Sequence, residues 1–115
     1  MLFDHRIYTT RPGQLKKQLA LYHEFGYAIQ RRYAGEPVLF LVTESGPLNS
    51  YVHIWAYKDA ATREKARAAL QADPGWTAYL AKSAEAGYLV SQENQLLVEA
   101  PFWTVEENAK LNSKD

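Results

Sequence analysis

The stretch S50-Y-V-H-I-W-A-Y-K-D59 separates at every second position into two unlike sets, Tyr51, His53, Trp55 and Tyr57 on one side and Val52, Ile54 and Ala56 on the other. This period is that of a β-strand, whose successive side chains point to opposite faces. Neither set carries the Lys, Glu or Thr of a solvated face. Four aromatic rings in a row would also expose more apolar surface than a monomeric soluble domain tolerates. The strand is therefore expected in the middle of a sheet, with helices over one face and a further layer over the other.

Just upstream, V38-L-F-L-V-T-E44 reads as a strand buried on both faces. Ser45, Gly46, Pro47 and Asn49 make the short turn of an antiparallel hairpin between the two. Residues Leu2 to Thr9 form an earlier strand that stops at Pro12-Gly13; Pro12 suits the first position of a helix, with Thr10 as its cap. Leu15, Leu19, Tyr22 and Phe25 then recur at helical spacing, and Gly26 breaks that helix before a second piece at residues 28–32, closed by Gly35 and Pro37.

Downstream, Asp59 caps a helix over Ala60 to Ala72 whose apolar stripe is Ala66, Ala69 and Leu70. Asp73-Pro74 repeats the start signal for a helix to Ala86 with Trp76, Tyr79 and Leu80 inward, and Gly87 ends it. Tyr88 to Val98 is the last strand, and its polar middle, Ser91-Gln92-Glu93-Asn94, suits a sheet edge or a bulge. The order strand, helix, strand, strand, helix, strand is the ferredoxin-like βαββαβ pattern, an α+β fold with an antiparallel four-stranded sheet and its helices on one face. Such a sheet leaves its second face bare, which predicts a homodimer packed sheet on sheet. Residues 1–100 make the domain, and 101–115 a tail whose Phe102 and Trp103 pack on the domain or on the partner subunit.

The 115 residues fit a single domain, and 47% apolar against 23% charged residues is a globular composition. Thirteen basic and thirteen acidic residues cancel, leaving no global field for nucleic acid or an anionic membrane. The absence of cysteine removes disulfides, thiolate metal sites and cysteine nucleophiles. No apolar run reaches the roughly 18 residues of a membrane span, and Met1 to Tyr8 reads as strand rather than leader, so a cytoplasmic protein is expected. Walker loops, dinucleotide glycine patterns and G-x-S-x-G elbows are missing.

The candidate chemistry is aromatic and cationic. His53, Trp55 and Tyr57 alternate onto one face of the central strand. The halves echo each other, His5-Arg6-Ile7-Tyr8 against His53-Ile54-Trp55-Ala56, and in that register His5 lies beside His53 on a parallel neighbour. Two imidazoles fall short of the three or four ligands of a stable site, and the third histidine, His23, lies on a helix, so neither metal nor cofactor is expected. Arg6 and Tyr8 alternate onto the other face of the first strand, where the arginine would fix a carboxylate or phosphate, or an acid such as Glu44 or Glu93 across a subunit boundary. Trp76 and Tyr79 would roof a pocket over the sheet. The predicted pocket is thus Arg6, Tyr8, His53, Trp55, Tyr57 and Trp76, with His53 the candidate catalytic residue; the pair Arg63 and Arg67 reads as a solvated helix face.

With those residues placed, the chain resembles the NIPSNAP family through R-I-Y-T-T-R-P-G at Arg6 to Gly13, E-S-G-P-L-N at Glu44 to Asn49, V-H-I-W-A-Y at Val52 to Tyr57, R-x-x-x-R-A at Arg63 to Ala68, and D-P-G-W-x-x-Y-L at Asp73 to Leu80. Tyr27 departs from it, standing where many relatives carry proline. The resemblance implies a ferredoxin-like subunit that pairs into a dimeric α/β barrel, and it brings no settled reaction. Three functions follow as expectations: a homodimer offering an aromatic pocket to a small organic, anionic molecule; a cofactor-independent monooxygenase-like enzyme in which His53 acts as general base toward a phenol; and a protein-interaction module.

Overall fold

Strand β3 (Ser50–Tyr57) buries Tyr51, His53, Trp55 and Tyr57 and leaves the residues between them half-buried, as its alternation requires. The structure, a computed structural model, describes residues 1–112. In it β3 lies between β2 (Leu39–Val42) and β1 (Leu2–Thr10), and β4 (Leu89–Val98) flanks β1, giving the order β2-β3-β1-β4. Every neighbouring pair is antiparallel. Helices α1 (Leu15–Phe25) and α2 (Tyr27–Ala34) connect β1 to β2, and α3 (Ala60–Ala72) and α4 (Pro74–Ala86) connect β3 to β4. The chain therefore has the expected α+β, ferredoxin-like topology, with a short α5 (Val105–Asn112) after it.

Register decides which side chains meet. Tyr8 stands opposite Tyr51, Arg6 opposite His53, Asp4 opposite Trp55 and Leu2 opposite Tyr57, so these eight share the face beneath the helices. Phe3, His5 and Ile7 share the other face with Val52, Ile54 and Ala56. This corrects the proposed histidine pair: β1 runs antiparallel to β3, His5 sits opposite Ile54, and the two imidazoles point to opposite sides of the sheet. It also places Arg6 and Tyr8 on the same face as His53.

Strand β2 is shorter than its apolar run and is not buried on both faces; Leu41 is 55% and Val42 49% exposed. It lies at the sheet edge, where a strand has a neighbour on one side only. The polar β4 forms the other edge, with a register shift where it passes Thr9 and Thr10.

The caps at α3 and α4 follow their sequence signals. Asp59 accepts from the Thr62 amide and Asp73 from the Gly75 amide, each at 2.8 Å, while Gly87 takes the left-handed conformation at φ 64°. At α1 the expectation fails. Pro12 and Gly13 lie in a turn, Gln14 is the cap residue, and Thr10 instead donates its backbone N–H to the Asn49 carbonyl at 2.7 Å. Gly26 does divide α1 from α2, and the position leaves little room for a side chain: a Cβ there would lie 3.0 Å from Tyr22 Cδ1.

Two inward faces also differ from the apolar lettering. Ala69 is exposed, and the half-buried and buried stripe of α3 is Arg63, Ala66, Arg67 and Leu70. On α4, Tyr79 is buried but Leu80 is 47% exposed. Over the second face of the sheet, Trp103 and Val105 share a cleft with Phe3, Leu39, Ile54 and Leu97, whereas Phe102 is 87% exposed. The end of the expected tail, residues 113–115, lies outside the described residues.

Candidate functional site

Between the aromatic face of the sheet and the helices is a cavity of about 210 Å³. The sheet contributes Arg6 and Tyr8 from β1, Phe40 from β2, and Tyr51 and His53 from β3; the helices contribute Tyr22, Gln30, Arg67, Leu70, Trp76 and Tyr79. The exposed residues Gln71 and Gln92 also border it.

His53 is held by rings on several sides. Phe40 stacks on it at 4.7 Å and 14°, Tyr51 lies nearly parallel at 5.8 Å, and Tyr8 meets it edge-on at 4.9 Å. Trp55 Nε1–H donates to His53 Nδ1 at 2.6 Å, so Nδ1 is an acceptor and the ring hydrogen resides on Nε2. That Nε2 is buried and has no hydrogen-bond partner among the described residues. Burial, reinforced by the nearby Arg6 charge, pushes the His53 pKa down to about 3, so the ring is neutral. The result is a fixed N–H donor, unpaired among the described residues, on a residue that lines the cavity.

Behind it lies an unbalanced group of charges. Asp4, 1% exposed, accepts from Arg6 Nε at 3.2 Å and Nη2 at 3.1 Å, and from Arg63 Nε at 3.1 Å. Burial alone would raise the Asp4 pKa; hydrogen bonds and attraction from the two guanidiniums outweigh it and hold the carboxyl below 3.8. One carboxylate thus serves two arginines. A third, Arg67, lines the cavity without an ion pair among the described residues. Burial, then repulsion from Arg6 and Arg63, lowers the Arg67 pKa from 12.5, as expected of a cation lacking a counterion.

The hydroxyls are arranged to give hydrogen bonds. Arg6 Nη1 donates to the Tyr8 oxygen at 3.1 Å, and Gln18 Nε2 donates to the Tyr51 and Tyr79 oxygens at 3.2 Å each. Tyr8 and Tyr51 accept these bonds and keep their own hydrogens to give. Tyr22 donates to Gln30 Oε1 at 2.5 Å. Burial raises the pKa of Tyr22, Tyr51 and Tyr79 above 10, so all three stay protonated.

Of the six residues predicted for the pocket, Arg6, Tyr8, His53 and Trp76 line the cavity. Trp55 and Tyr57 share the buried face but not the cavity wall; Trp55 acts on it through His53, and Tyr57 stands opposite Leu2. The partner of Arg6 is Asp4 in its own strand, not Glu44 or Glu93. Sequence reading missed Asp4, Gln18, Arg63 and Arg67. Asp4 shares the alternation of Arg6 and Tyr8, and Arg63 and Arg67 fall on the stripe of Ala66 and Leu70, so period alone contained the signal. Among the described residues, no three or more of His, Asp and Glu are grouped to hold a metal ion, and no helix is long and apolar enough to cross a membrane.

Solved structures repeat the architecture. An uncharacterized NIPSNAP domain protein from Burkholderia xenovorans is 36% identical, with a TM-score of 0.83 over 90% of this chain and 99% of that one. An antibiotic biosynthesis monooxygenase, 16% identical, matches with a TM-score of 0.58 over 88% of this chain and 100% of that one, a likeness of fold alone. Among curated proteins, the Protein NipSnap homolog of Dictyostelium discoideum is 35% identical over 82 residues, 71% of this chain. The match spans 36% of that relative's length. The NIPSNAP family model matches residues 3–103, and with these relatives it establishes that the chain belongs to the NIPSNAP family.

Proposed function

We propose that the protein binds a small organic anion in the cavity between sheet and helices. The observation carrying this reading is Arg67, a guanidinium lining an aromatic cavity behind which Arg6 and Arg63 already share the single Asp4. A half-buried charge without a counterion is costly, and an anionic ligand would offset it. His53 Nε2–H and the Tyr8 and Tyr51 hydroxyls would complete a set of donors for its oxygens. A volume of about 210 Å³ falls below the roughly 300–1,000 Å³ of drug-sized sites, so the ligand is a compact one. Calorimetric titration with benzoate tests this: binding is expected for the native protein and a loss of tenfold or more for Arg67→Met. Absence of binding to the native protein overturns the reading.

Binding is better supported than oxygenation. A general base needs a free lone pair, and the accepting nitrogen of His53 is taken by Trp55. Oxygen uptake with dihydroxylated aromatics, abolished by His53→Ala, would favour the enzymatic reading instead.

The same proposal includes a homodimer in the cytoplasm. Ile7 (37%), Leu41 (55%) and Leu97 (41%) are exposed on the second sheet face beside half-buried Val52 and Ile54, a surface suited to a second copy. Sedimentation equilibrium checks it, and a monomer at high concentration would oppose it.

A further inference from the structure

The cavity is unusual in the direction of its hydrogen bonds. Its ionisable groups come from five elements: Arg6 and Tyr8 from β1, Tyr51 and His53 from β3, Tyr22 from α1, Arg67 from α3 and Tyr79 from α4. None is a carboxylate. The acid nearest this group, Asp4, has both oxygens bonded to arginines. The one histidine presents N–H rather than a lone pair, because Trp55 occupies Nδ1. Gln30 Oε1, an acceptor on the wall, already receives the Tyr22 hydroxyl; the other side-chain amide carbonyls of the lining belong to the exposed Gln71 and Gln92, and the buried, unpaired Gln18 Oε1 is not part of the lining.

A carboxylate is anionic in water and needs no help from such a wall. A weaker acid does. A neutral phenol or enol brought here would present its own O–H to a surface dominated by donors, next to a cation without a counterion. Its ionised form would instead accept from His53, from Tyr8 or Tyr51, and from Arg67. Resting on the anion-binding reading above, we propose that the cavity binds weakly acidic hydroxyl compounds, phenols and enols, and holds them as oxyanions at a pH where they are neutral in water. The proton leaves to solvent, since the wall holds no free base to retain it; the ligand's O–H bond breaks, and the electron pair stays on its oxygen.

The size of the effect follows from general electrostatics. An opposite charge within about 4–6 Å moves a titration by roughly 1–3 units, so the ionisation midpoint of a bound phenol should fall by about one unit or more, tenfold in its acid constant. The probe is 4-nitrophenol, whose ionised form has its own absorption band, titrated against pH with and without saturating protein. Benzoate binding is measured in parallel by calorimetry. The expected result is a lowered midpoint for the bound probe, most of the shift lost in Arg67→Met and retained in Arg67→Lys, with unchanged circular dichroism in both variants.

The outcomes separate the two readings. Benzoate binding together with a bound-probe midpoint that is unchanged or raised overturns this proposal and leaves the anion site standing, as does benzoate binding with no binding of 4-nitrophenol at any pH. Failure of both ligands to bind removes both. A full-sized shift persisting in Arg67→Met would also overturn the proposal, because the unpaired guanidinium would not be its source.

Discussion

Trp55 Nε1–H lies 2.6 Å from His53 Nδ1, and this bond fixes which nitrogen of the imidazole is a donor to the cavity. Trp55 is 1% exposed and His53 2%, so water does not compete. Replacing Trp55 by Phe should cost about 2 kcal/mol, from a smaller ring in a packed site plus one lost buried hydrogen bond. Urea denaturation measures that. Imidazole nitrogen shifts should show a single Nε2-protonated ring in the native protein and a mixture of tautomers in Trp55→Phe. A single tautomer in the variant would mean that something else orients the ring.

The buried imidazole also sets an acid limit on stability. The His53 pKa is about 3 in the folded protein against 6.5 for the free side chain, so the unfolded chain takes up the proton first as the pH falls. Stability conferred by the neutral ring is complete above pH 6.5 and declines as the pH drops toward 3, by about 1.4 kcal/mol per unit. Asp4 adds a further loss, but only below its free value of 3.8. Urea midpoints at pH 7, 6, 5 and 4 should therefore slope downward, and His53→Phe, which preserves the stacking shape, should flatten the slope between pH 6.5 and 4.

How far the sequence foretold this structure depended on which physical signal a residue carries. The alternation of β3 and the Asp-Pro and Gly punctuation of α3 and α4 are local, and those elements lie where they were expected. Arg6, Tyr8, His53 and Trp76 were recognisable because aromatic or cationic residues at a strand or helix period stand out. The failures are tertiary. Val38 to Glu44 looked like a strand buried on both faces because hydrophobicity does not distinguish an edge from a centre. Arg63 and Arg67 looked solvated because charged residues usually are, and only the antiparallel register that puts Asp4 beneath α3 turns them inward. Gln18, 0% exposed, was overlooked for the same reason.

Asp4 is the test of that charge arrangement. Asp4→Asn leaves Arg6 and Arg63 largely buried without a carboxylate, and breaking such a group should cost about 3 kcal/mol. The same change adds one net positive charge beside the cavity. It should therefore tighten benzoate binding several-fold while lowering the thermal midpoint, opposite signs that a general loss of structure would not produce. Calorimetric titration and thermal unfolding on the same preparation read both.

Gly26 joins helix geometry to the site. Gly26 stands between two helices rather than inside one, so the preference for alanine in a helix interior gives Gly26→Ala no gain to set against crowding. A Cβ there would lie 3.0 Å from Tyr22 Cδ1 and 3.2 Å from Tyr79 Cδ2. Neither ring can easily retreat, since the Tyr22 hydroxyl is tied to Gln30 and the Tyr79 hydroxyl to Gln18. Overpacking of this kind costs about 1–3 kcal/mol, so a net loss of stability is expected. At Gly75 the nearest atom to an added Cβ is Ile29 Cδ1, 2.7 Å away but at the free end of a side chain that can turn aside. Thermal unfolding should accordingly rank Gly26→Ala below Gly75→Ala. Benzoate affinity should fall in Gly26→Ala as well, because the two displaced rings are walls of the cavity.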